Sequence, residues 1–94
     1  MAVSFLVHHP QDNVGVAVED IATPGSAAGG YRDGDGDLRL AVLEPVPLGH
    51  KIALDDVPAG GHVVEYGVVI GVATADIARG QLVHIHNMKG RRWA

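Results

Sequence analysis

His84-Ile85-His86-Asn87 is the segment of this chain best suited to chemistry. In an extended strand alternate side chains share a face, which sets residues i and i+2 about 6–7 Å apart at Cα. Two imidazoles so placed can reach one metal ion while Ile85 turns into the core, and imidazole suits Fe, Zn, Mn or Ni. The competing expectation is a pair of solvent-facing rings that only hydrogen-bond. Six histidines in 94 residues strengthen the ligand reading, since His50 and His62 open expected strands and could add donors.

Gly49-His50-Lys51 is the second candidate. A cation beside an imidazole, at the exit of a stiff corner made by Pro45 and Pro47, can hold the carboxylate of an acidic substrate. The imidazole can also serve as acid or base near neutrality. An exposed strand start with solvated ends is the plain alternative. Asp12 and Asn13, after His8-His9-Pro10, are expected to shape a turn rather than touch a ligand. Asp33-Gly34-Asp35-Gly36-Asp37 imitates a calcium loop, but its sixth position is Leu38 where that loop requires Gly, so an acidic hairpin tip is expected. There is no nucleophile elbow, no phosphate-binding Gly loop and no paired catalytic carboxylates; Asp55 and Asp56 would point opposite ways on a strand.

The elements that must position these residues are short. Strands are expected at Ser4–His8, Val14–Val18, Leu38–Leu43, His50–Leu54, His62–Tyr66, Val68–Val72 and Gln81–Asn87. Thr23–Asp37, rich in Gly and Asp, reads as a loop, and 27–37 as a flexible acidic Gly-rich one. Three stretches repeat one pattern: Val16-Ala17-x-x-Asp20-Ile21, Ile52-Ala53-x-x-Asp56-Val57 and Val72-Ala73-x-x-Asp76-Ile77, ending in Gly25, Gly60 and Gly80. Asp accepting nearby N–H groups and Gly at positive φ make this a single turn chemistry used three times. At most isolated helical turns are expected around Glu19, Asp56 and Asp76. The fold class is therefore all-β.

Composition agrees. One domain fits 94 residues, and 47% hydrophobic with only 4% aromatic residues calls for thin layers of Val, Ile, Leu and Ala. The absence of cysteine excludes disulfides and thiolate chemistry. A net charge of −4 argues against nucleic acid as partner. No apolar run approaches a membrane span and no basic leader opens the chain, so a cytoplasmic location is expected. Residues 88–94, with Lys89, Arg91, Arg92 and Trp93, read as a basic tail, frayed or docked.

Four ordered blocks carry a resemblance: His9-Pro10-x-Asp12-Asn13-Val14-Gly15-Val16-Ala17; Val46-Pro47-x-Gly49-His50-Lys51-Ile52-Ala53-Leu54; Tyr66-Gly67-x-x-Ile70-Gly71-x-Ala73-Thr74-x-Asp76-Ile77-x-x-Gly80; and Val83-His84-x-His86-Asn87. Together they resemble the N-terminal domain, or separate small subunit, of the altronate and galactarate dehydratase family, which includes the small subunit of sulfolactate sulfo-lyase. The resemblance implies a single SAF-type β-clip domain over residues 1–94. It also implies sugar-acid chemistry: elimination of water to a 2-keto-3-deoxy acid, with Fe(II) or Mn(II), on a separate large catalytic subunit. His84 and His86 are then expected as catalytic or metal-binding groups, and His50, Lys51 and Asn87 as substrate contacts. The chain departs from the family in its longer Ala27–Asp37 stretch and in Ile85, where Thr is usual. A sulfo-lyase small subunit, a non-catalytic sugar-acid-binding module and a homo-oligomerising β-clip are the alternatives. Too few groups converge for a closed pocket, so the isolated chain is expected to be inactive.

Overall fold

The computed structural model describes residues 3–23, 25–31 and 37–90, and these hold nine strands and no helix. One sheet runs in the order β4 (Asp37–Val42), β3 (Gly25–Tyr31), β1 (Phe5–Val7), β2 (Val14–Ala17), β5 (Lys51–Ala53), β8 (Leu82–Val83). A second contains β6 (His62–Glu65), β7 (Val68–Ala73) and β9 (Met88–Gly90) in that order. All pairings are antiparallel except β1 with β3. Period-2 alternation sends side chains of the larger sheet into two cores. Phe5, Val7, Ala17, Leu40, Val42 and Ile52 form one. Val14, Ala53 and Val83 meet Val63 and Ala73 of the smaller sheet in the other.

The expected loop over 27–37 is corrected in part. Gly25–Tyr31 is a strand paired with both β1 and β4, and 32–36 lie outside the described residues. Gly29 within it meets a packing requirement rather than signalling a turn. The Phe5 ring lies over Gly29 and Gly15, so a Cβ at either would collide with it. The sole Phe of the chain is thus housed by two glycines. Of the basic tail, Met88–Gly90 docks on Gly71–Ala73 as β9, while 91–94 lie outside the described residues.

The threefold motif builds corners, and it works across the chain rather than locally. Val57 and Ile77 exchange backbone hydrogen bonds of 2.8 Å, and Ile21 and Val46 do the same at 2.9 and 3.0 Å. Each motif alanine clasps a turn: Ala53 bonds Gly80 and Gln81, Ala73 bonds Gly60 and Gly61, and Ala17 bonds Gly49 and His50. Gly49, Gly60 and Gly80 all have positive φ, whereas Gly25 opens β3. The glycine serving the first motif is therefore Gly49, from the Pro47-Leu48-Gly49 corner. Asp20, Asp56 and Asp76 cap no helical turns; they accept the Leu48, Arg79 and Ala59 amides of the facing corners.

Candidate functional site

His50 occupies the place that Gly61 and Gln81 fill in the other two corners, directly after a positive-φ glycine. Its backbone is fixed by Ala17, so the ring leaves the corner in a set direction. Lys51 then pairs with Val83 across β5 and β8. Because that ladder is antiparallel, the residue before Lys51 and the residue after Val83 meet at the same end. Those residues are His50 and His84. Their rings stand edge to face, 4.9 Å between centroids. His50 Nδ1 lies 3.4 Å from the Leu48 carbonyl, a contact that only the Nδ1-protonated ring makes as a donor.

The strand expected over Gln81–Asn87 stops at Val83. Residues 84–87 form a turn in which the Asn87 and Met88 amides both donate to the His84 carbonyl, at 3.0 and 2.9 Å. Asn87 is the turn's builder: its Oδ1 accepts the His84 amide at 2.9 Å and its Nδ2 donates to the Leu82 carbonyl at 2.8 Å. Both ends of its amide are thus engaged in the turn, and only 6% of Asn87 is exposed. The turn also removes the i, i+2 alternation on which a joint His84–His86 site was expected. Ile85, expected in the core, is 82% exposed. His84 and His86 are exposed as well, and the ring brought against His84 is that of His50.

A second cluster adjoins Lys51. Its ammonium lies 3.8 Å from Glu65 Oε1, and His8 Nε2 lies 3.7 Å from Glu65 Oε2. The His8 ring stacks on Tyr66 at 4.2 Å, and its Nδ1 is buried without a hydrogen-bond partner among the described residues. Tyr66 and Gly67 both take positive φ, making the tight reversal between β6 and β7. Asp12 closes that reversal by accepting the Tyr66 and Gly67 amides at 3.0 and 2.8 Å. Asn13 bonds His62 and Val64 along β6. Asp12 and Asn13 thus shape structure, as expected. Sequence reasoning missed Glu65, although it shares strand parity with buried Val63 and so had to face inward.

Metal binding has a plain geometric requirement: several donors around one point. Among the described residues no three His, Asp or Glu side chains converge in that way. Among the described residues, His84 and His86 do not make up a self-contained Fe(II) or Mn(II) centre. No helix of the described residues is long and apolar enough to cross a membrane.

The family model for the altronate/galactarate dehydratase SAF domain matches residues 3–91. The chain belongs to that family. Within the SAF-domain family, the (2R)-sulfolactate sulfo-lyase subunit alpha of Chromohalobacter salexigens is 37% identical over 94 residues, covering 99% of this chain and all of that relative. Escherichia coli altronate dehydratase is 37% identical over 87 residues, 93% of this chain but 16% of the enzyme. Escherichia coli galactarate dehydratase (L-threo-forming) is 41% identical over 79 residues, 84% of this chain and 14% of the enzyme. The SAF-domain chain thus matches one relative end to end and only a small fraction of the dehydratases.

Proposed function

We propose that this chain is the small component of a two-component lyase that removes a leaving group from the carbon β to the carboxylate of a hydroxy acid. In the dehydratase version a base takes the C2 proton, the C3 hydroxyl departs with a proton as water, and the resulting enol becomes a 2-keto-3-deoxy acid. Such a reaction needs a proton donor for the hydroxyl and a cation for the carboxylate and the developing enolate charge. The observation that carries the reading is the His50–His84 contact, between a half-buried and an exposed imidazole. His50 and His84 provide proton donation, and Lys51 provides charge from the adjoining Glu65 cluster. The base, the enclosure and the remaining donors to any metal ion come from a large catalytic chain.

A second reading is favoured by the end-to-end match to a sulfo-lyase subunit alpha. There the same α-proton leaves, the C3–S bond breaks, sulfite departs with the bonding electrons, and the enol becomes pyruvate. Reconstitution with the cognate large chain separates the two. Altronate, galactarate and (2R)-sulfolactate are offered in turn, with 2-keto-3-deoxy acid, pyruvate and sulfite measured. The reading requires turnover of one of them by the mixture and none by the small chain alone. Turnover by the small chain alone, or an inert mixture, would refute it. His84→Ala is expected to lower turnover tenfold or more without altering the fold.

A further inference from the structure

The His50–His84 pair is bordered by apolar side chains that the fold leaves uncovered. Ile85, next to His84, is 82% exposed, and Leu48, whose carbonyl contacts His50, is 60% exposed. They are the two most exposed large hydrophobic residues among those described. Neither stands on a loose segment. Leu48 is pinned by its amide bond to Asp20, at 2.8 Å, in the corner that Gly49 closes onto Ala17. Ile85 sits in the turn that buried Asn87 ties at both ends. Val18, also exposed, follows Ala17, whose backbone bonds Gly49 and His50.

Exposed apolar side chains mark a surface for a partner when they are grouped and rimmed by polar residues, as these are around the histidine pair. Rigid presentation also lowers the ordering cost when a partner arrives. We propose that the rim of Leu48, His50, His84 and Ile85 is where the large catalytic chain docks, with Leu48 and Ile85 as its apolar anchors. This rests on the two-component reading above. The occupant follows from the relatives: the same module makes up 16% and 14% of the two dehydratases, and so accompanies a far longer stretch of polypeptide there. It follows also from the site itself, where two imidazoles stand together and need a facing surface to complete them. Docking on this rim would bury the histidine pair and remove water from it in the same step.

The test uses the cognate large chain and isothermal titration with wild type, Leu48→Glu, Ile85→Glu and, as a control, Leu43→Glu. Leu43 is exposed too, but its backbone is paired to Gly80, outside this rim. Leu48→Glu and Ile85→Glu should each weaken the complex tenfold or more, with unchanged circular dichroism and melting, while Leu43→Glu binds like wild type. Undiminished binding by both rim variants would overturn the docking face and leave the two-component reading intact. Concentration-dependent dimerisation of the small chain, abolished by Ile85→Glu while the large chain still binds, would assign the rim to a second copy instead. Failure of the wild-type chains to associate would remove both proposals together.

Discussion

Asp56 and Asp76 each secure the other's corner: Asp56 Oδ1 accepts the Arg79 amide at 2.8 Å, and Asp76 Oδ1 accepts the Ala59 amide at 2.9 Å. Between them Val57 and Ile77 exchange two backbone bonds. The two corners are one reciprocal unit, in which each carboxylate reads the backbone of the opposite turn. The corner pair around Ile21 and Val46 keeps half of this device, with Asp20 on Leu48 and Pro45 where a second Asp would stand.

Losing a hydrogen bond to a charged acceptor costs about 1.5–3 kcal/mol, less where water can substitute. Asp56→Ala and Asp76→Ala should each cost about 1–2 kcal/mol in urea unfolding. Their double variant should fall short of the sum, because each loosens the same pair. Asp20→Ala combined with Asp56→Ala should add to within about 0.5 kcal/mol, as separate sites do. Strict additivity of Asp56 with Asp76 would show that the corners act alone.

Gly29 has no room for a side chain beneath Phe5. Gly29→Ala should destabilise by about 1–3 kcal/mol, the usual range for an overpacked core. Phe5→Leu in the same chain should recover part of that loss, although it is destabilising by itself. Thermal melts of the four chains read the outcome, and a neutral Gly29→Ala would disprove the fit.

Asn87→Ala removes the side-chain bonds that shape the 84–87 turn and leaves the part-buried His84 amide and Leu82 carbonyl without them. About 1–3 kcal/mol of stability should be lost. Ring-to-ring nuclear Overhauser contacts between His50 and His84 should vanish with the turn, even at temperatures where the rest of the spectrum is native. Asn87→Asp, which keeps the acceptor for the His84 amide, should retain them.

Glu65 is 7% exposed and lies within 3.8 Å of Lys51 and His8, beyond hydrogen-bond reach of both. Its Coulombic hold is therefore long-range positioning rather than a tight bond. In the reconstituted enzyme Glu65→Gln should raise KM for the acidic substrate several-fold through a less well-placed Lys51, with kcat changed less. Equal losses in both parameters under steady-state kinetics would give Glu65 a different role.

Much of the strand inventory is readable because aliphatic alternation is strong: Leu40 and Val42 are buried and Arg39 exposed, as their spacing requires. The corners were legible as a repeat but not as a partnership, since nothing local tells Asp56 to seek an amide 23 positions away. Gly25–Tyr31 escaped because glycine signals a turn in one setting and close packing in another, and only the position of Phe5 decides between them. Histidine spacing drew attention to the 84–87 region, yet its geometry depends on Asn87 bonding its own turn. The His50–His84 meeting follows from strand register between β5 and β8, which single-chain periodicity does not contain.

Asn13 carries a consequence for assembly. Its amide and backbone occupy the His62 carbonyl and both main-chain groups of Val64 along the outer margin of β6. A foreign strand arriving at that margin finds those hydrogen-bonding positions already taken, as charged or capped edges do in other β proteins. The smaller sheet is thereby stoppered on one flank, and enlargement by strand addition is confined to the flank of Met88–Gly90.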